Sequence, residues 1–220
     1  GFMLDARLPH DTLILQEQRQ VILLRGGGAE EDTVVAHKLF RIRHHLRPGA
    51  FIGGAEGIVV HGTGEGLGCN AIVVVMHAGK EYDGTPTGYQ RQIARRAQAK
   101  GAALVVGHHP HIVQGYEVFN GMPVVYSLGN CAFGGRLHPT DSDALALQAE
   151  MTFAGGELTQ VDLHFFPISI TSDRTVNNYS PMFLTGEDAG RVIEKMRKST
   201  GCVPDEVSDD GSAWVHCPVP

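Results

Sequence analysis

The chain is 220 residues long, 42% apolar and 19% charged, the composition of a globular protein with a sizeable core. Its net charge of −6 argues against a nucleic-acid footprint, which needs a basic surface. No apolar run approaches the roughly 20 residues of a membrane-spanning helix, and the opening residues carry no signal-peptide pattern, so neither is expected within this chain.

In chain order, Val21–Leu24 reads as a strand. Asp32 caps an expected helix over Thr33–His45, where Val34, Val35, Leu39 and Ile42 make a partial apolar face. Short strands are expected at Ala50–Ile52 and Gly57–Val60. The glycines at 26–28 and 62–68 read as turns, not phosphate cradles, because acidic residues stand where phosphate would sit.

The apolar run Ala71–Met76 ends in His77, and the run Ala102–Val106 leads into Gly107-His108-His109-Pro110-His111. Between them Thr85 suits a helix cap, Pro86 a first helical position and Gly101 the residue after the helix. Strand, helix and strand make a crossover unit, and such a unit is right-handed and returns the chain to the same side. Ligands of parallel sheets bind at the carboxyl ends of the strands. His77 and the His109/His111 pair are therefore expected to be neighbours at one sheet edge, as a metal site requires.

Further on, Ile112–Phe119 and Met122–Ser127 read as a hairpin around Asn120-Gly121. Leu145–Phe153 and Leu158–Phe166 read as a second pair turning at Gly155-Gly156, and Gly186–Lys198 as a terminal helix followed by an irregular tail. Cys202 and Cys217 in that tail are candidates for a disulfide. Tyr126-Ser127-Leu128-Gly129 lacks the leading glycine of a nucleophile elbow, so Ser127 is read as a strand-end residue.

Several motifs occur in order: His77-Ala78-Gly79-Lys80-Glu81-Tyr82, Pro86 with Gln90, Gly101 through His111, Gln114, and Tyr126-Ser127-Leu128-Gly129-Asn130. Over residues 71–171 the chain resembles bacterial capsule-synthesis proteins of the CapA, or poly-γ-glutamate, type. Those are similar to calcineurin-like metallophosphoesterases. The family usually has an aromatic residue where Ala78 and Cys131 stand here.

The resemblance implies an α/β fold, a four-layer metallophosphoesterase-like sandwich with a two-metal site between two sheets. It assigns His77, His109 and His111 as metal ligands, with Glu81 and Asn130 lining the site. His108 is then an extra pocket residue and the candidate proton donor to a leaving group. The implied cofactor is a pair of divalent ions, manganese, iron or zinc, for which imidazole with carboxylate is a suitable donor set. The implied partners are a phosphoester or polyanionic polymer substrate and a membrane-associated capsule-synthesis complex, with no nucleic acid, at the cell surface.

The family's N-terminal half supplies an Asp after its first strand, an Asn-x-Glu segment and an Asn-Asn-His segment, and residues 1–70 contain none of these. Asp5, His37, His44, His45 and His61 are available there, with no spacing that selects one. The expected organisation is a divergent or partial segment 1–70, a CapA-like core 71–171, and a C-terminal helix and tail 172–220. Three readings follow: a metal-dependent hydrolase of phosphoesters, a non-catalytic component of polymer synthesis or export, or a fragment with a degenerate metal site.

Overall fold

The computed structural model describes residues 12–17, 20–27, 71–131, 133–173 and 175–220. The helix expected over Thr33–His45, the strands at 50–52 and 57–60, the glycine run at 62–68 and the spare donors at 5, 37, 44, 45 and 61 lie outside the described residues.

Two sheets carry the α/β fold. The smaller contains β3 (Val73–His77), β4 (Leu104–His108), β6 (Met122–Val125) and β5 (Tyr116–Phe119), in that order. β3 pairs with β4 and β4 with β6 in parallel, while β5 and β6 form the expected antiparallel hairpin. Asn120 and Gly121 both take positive φ (49° and 79°), which the tight hairpin turn demands.

The larger sheet runs β1 (Thr12–Glu17), β2 (Gln20–Gly27), β7 (Asp143–Ala154), β8 (Glu157–Ser169), β11 (Ala213–Pro218), β10 (Glu206–Val207), with β9 (Met182–Phe183) on β8. The strand expected at Val21–Leu24 is the centre of β2. The tail is not irregular. Ala213, Val215 and Cys217 alternate into the core while β11 pairs with β8 over six residues. That period-two pattern is disguised in the sequence by Trp214 and His216, which face away from the core. Trp214 stacks on His164 of β8, ring centres 3.8 Å apart and planes 18° off parallel. Cys202 and Cys217 are free thiols, not a disulfide, and Cys217 is buried within the sheet.

The crossover helix α1 (Gly88–Gln98) starts two residues later than Pro86 would suggest. Thr87 is the cap: its hydroxyl accepts from Gln90 N–H at 3.2 Å, and Gln90 Oε1 accepts from Thr87 N–H at 2.8 Å. This reciprocal pair satisfies two otherwise unpartnered donors of the first turn and outcompetes a start at Thr85. Ile93, Ala94 and Ala97 of α1 pack on Val74, Met76, Val105 and Val124 of the small sheet.

The opposite face of that sheet meets the large one. Leu104 and Val106 join Leu147, Leu163, Phe165 and Val215 in the main core, and α2 (Gly186–Thr200) adds Val192, Ile193 and Met196. Strand β4 is thus buried on both faces along its whole length, the usual state of a central parallel strand.

α2 is fastened to the start of β7 by charge. Arg191 grips the buried Asp143 carboxylate through two hydrogen bonds, at 2.8 and 3.1 Å, and Lys195 reaches Asp143 at 2.6 Å and Asp141 at 2.8 Å. Burial opposes ionisation of Asp143, but the bonds from Arg191 and Lys195 together outweigh it, so its pKa lies below the usual value. The unfolded carboxyl titrates near 3.9, so the interaction stabilises the fold fully above that pH and is lost as pH falls below it through the lowered folded-state pKa. At neutral pH Asp143→Asn should lower stability by about 1–3 kcal/mol. That gap in thermal midpoint should narrow as pH falls below about 4; a gap unchanged with pH would mean that Asp143 is not the titrating partner.

Candidate functional site

The parallel pairing of β3 with β4 sets His77 directly opposite His108 at the carboxyl edge of the small sheet. Beyond that edge the chain turns sharply. His109 and His111 take left-handed φ angles of 102° and 62°, which residues with a Cβ rarely adopt. The turn swings the His109 ring back to His77: Nδ1 of His109 and Nε2 of His77 are 3.2 Å apart, with ring centres at 4.9 Å. Two backbone bonds hold the loops together, Ala78 N–H to His108 O at 3.1 Å and Tyr82 N–H to Pro110 O at 2.8 Å.

Asn130, in the loop after β6, orients the third imidazole. Its Oδ1 lies 2.8 Å from His111 Nδ1 and its Nδ2 donates to His111 O at 3.1 Å. Since an amide oxygen only accepts, Nδ1 carries the hydrogen and Nε2 of His111 keeps a lone pair. Tyr82 stacks on the same ring at 6.1 Å, and Phe133 meets it at 5.7 Å.

These groups enclose a cavity of about 300 Å³. The four histidines and Asn130 form its polar wall; Cys131, Phe133 and the glycine backbone at 134 and 135 form the other. No carboxylate or cationic side chain lines it among the described residues. His108 is buried, and neither ring nitrogen has a hydrogen-bond partner. Burial, and secondarily the neighbouring His77, push its pKa down to about 4, so it is neutral at pH 7.

Five of the residues expected at the site, His77, His108, His109, His111 and Asn130, are thus brought together. Glu81 is exposed on the turn after β3 and does not line the cavity. Phe133 lines the cavity from a loop with no periodicity, so no sequence signal marked it. Ser127 donates to Ile112 O at 2.8 Å, a strand-end role as expected.

The donor types suit a divalent transition ion. Two imidazole nitrogens on one tetrahedral ion, each at 2.0–2.1 Å, stand about 3.3 Å apart, close to the His77–His109 separation. His111 presents a lone pair nearby, and His108 brings two buried polar atoms that lack a partner. In number the set falls short: among the described residues no three His, Cys, Asp or Glu side chains converge closely enough to hold an ion.

Residues 64–135, which contain all of these histidines, match the model of the bacterial capsule synthesis protein PGA_cap family. The PGA biosynthesis protein CapA of Bacillus subtilis (strain 168) is 41% identical over 95 residues, 42% of this chain and 25% of that protein. The capsule biosynthesis protein CapA of Bacillus anthracis is 39% identical over 130 residues, 59% of this chain and 29% of that protein. An uncharacterized protein, y4sH, of Sinorhizobium fredii is 34% identical over 58 residues, 26% of this chain and 13% of that protein. The matched stretches amount to less than a third of the length of each of these relatives.

The residue before His108 has no room for a side chain. A Cβ on Gly107 would lie 2.0 Å from the Tyr126 carbonyl oxygen, just past the end of β6. Gly107→Ala should therefore force β4 and β6 apart and cost about 2–3 kcal/mol or more, read as a fall in the urea midpoint. A wild-type midpoint would mean that the contact is slack.

Proposed function

From a chain that is CapA-like over residues 64–135, we propose a protein of capsule, poly-γ-glutamate-type, biosynthesis whose histidine edge is a metallophosphoesterase-type site acting as a metal-dependent hydrolase of phosphoesters. The observation that supports this reading is the cavity at the carboxyl edge of the small sheet, walled by four imidazoles, one of them with two buried, unpartnered nitrogens.

In this reading His77 through Nε2, His109 through Nδ1 and His111 through Nε2 would contribute to holding the cofactor, a pair of divalent ions drawn from manganese, iron or zinc, with further ligands from outside this set. Such ions supply Lewis acidity toward a phosphoryl oxygen and activate water at neutral pH. The protein's own groups do the rest. Asn130 fixes the tautomer of His111 and keeps its ring aimed. His108, neutral and desolvated at pH 7, would offer a ring N–H as a hydrogen bond to an oxygen of the substrate, without transferring the proton. Phe133 covers the His111 ring and excludes water. Among the described residues the cavity wall carries no carboxylate, in keeping with an anionic substrate, a phosphoester or a polyanionic polymer. No helix among the described residues is long and apolar enough to cross a membrane.

One observation favours a second reading, a non-catalytic component of polymer synthesis or export: the described donors do not close around an ion.

Elemental analysis of the purified chain by mass spectrometry separates the two. The hydrolase reading expects about two divalent ions per chain, lost in His109→Ala, with turnover of an aryl phosphodiester lost in parallel. A folded wild type that carries no metal after incubation with manganese, iron and zinc would sink it and leave the non-catalytic role.

A further inference from the structure

We propose that Gln90 and Gln114 are positioning residues that set the register between the loop after His77 and the loop carrying His109 and His111. The geometric part stands alone; its consequence for metal binding rests on the function proposed above.

Both side chains are fully buried, in a protein that could have filled the space with hydrocarbon. They form one chain of bonds across three elements. Gln90 Nε2, in the first turn of α1, donates to Gln114 Oε1 at 2.8 Å. Gln114, three residues after His111, passes the connection on, its Nε2 donating to Asp83 O at 2.8 Å in the loop that leaves His77. The remaining valences are used: Gln90 Oε1 accepts from Thr87, and Gln90 Nε2 also approaches Tyr126 O at 3.4 Å.

The loops also press on this pair. Gly79, two residues after His77, has φ 135°, and a Cβ there would meet Pro110 Cγ at 2.9 Å and Gln90 Cδ at 3.0 Å. The His77 loop is thus pinned at its start by Ala78 N–H to His108 O and at its far end by Gln114 to Asp83 O, with Gly79 wedged between Gln90 and Pro110. An isolated buried amide pair contributes little net stability, because water is an equally good partner for the unfolded chain. What it supplies is direction: a hydrogen bond fixes distance and angle where an apolar contact slides. Here the fixed quantity is the 3.2 Å approach of His77 to His109.

The test compares Gln114→Leu with the double variant Gln90→Leu/Gln114→Leu in the full chain, reading thermal midpoint, zinc affinity by titration, and the NMR Overhauser contact between the His77 and His109 rings in metal-free protein. The single variant strands the Gln90 amide and should lower the midpoint. Removing both partners relieves the stranded amide but also takes away the acceptor of Thr87 N–H in the capping box, so only part of that loss should return. Positioning predicts that zinc binding stays weaker by about 10- to 100-fold in both variants and that the ring contact is lost in both. A merely structural role predicts that zinc affinity and the ring contact return with stability in the double variant, which would overturn the proposal. Gln114→Met, which keeps the volume but can neither accept from Gln90 nor donate to Asp83 O, should behave like the single variant and serves if the leucine variants do not fold. If wild type binds no zinc, the proposed metal function falls, and the ring contact alone decides whether the glutamines position the loops.

Discussion

Parallel pairing of β3 with β4 places His77 opposite His108, and in a parallel pair both chains leave the sheet at the same edge. An antiparallel arrangement of the same two strands would have put the histidines at opposite ends. The pairing in turn needs the crossover helix, whose apolar stripe covers one face of the small sheet, and the large sheet, which covers the other. The α/β architecture is what brings together imidazoles separated by about thirty positions in the chain, at ring distances of a few ångströms.

Having assembled this edge, the fold tolerates unfavourable features there. Tyr82, His109 and His111 are three of five non-glycine residues with positive φ among those described, and all three belong to the two loops at this edge. His108 buries two polar atoms without partners, which costs about 1–3 kcal/mol per unsatisfied group. Elsewhere among the described residues such departures are scattered, a buried Ser199 Oγ without a partner and positive φ at Asn120 and Tyr179, and their concentration at this edge is characteristic of a site. The compensation lies in satisfied neighbours: Asn130 with both its oxygen and its nitrogen on His111, and Gln90 with Gln114.

Much of this was legible in the sequence because it rests on period and punctuation. Apolar runs ending in histidine gave the strand ends, Asn120-Gly121 and Gly155-Gly156 gave the turns, and the strand–helix–strand order gave the crossover. What escaped was set by tertiary context. The cap of α1 moved from Thr85 to Thr87 because a capping box there outcompetes the proline signal at Pro86. β11 was hidden because its outward positions carry Trp214 and His216, which do not read as the polar half of an alternation. Glu81 has the chemistry of a site carboxylate but faces solvent, since side-chain direction in an irregular loop follows no period. Phe133 enters the cavity through a loop whose path depends on bonds from Asn177 to Phe133 O and Arg136 O, a contact of 44 residues in sequence that no local pattern announces.

Trp214 is the only tryptophan in the chain, and it lies against His164 on the face of the large sheet turned away from the core. All near-ultraviolet emission that can be excited selectively at long wavelength therefore originates from one known indole, stacked on an imidazole. Protonated imidazole quenches such emission where neutral imidazole does so weakly. The protein thus carries an intrinsic optical probe of its large sheet, spatially separate from the histidine edge of the small one, and any spectral change caused by a ligand at that edge would be a signal transmitted through the body of the sandwich.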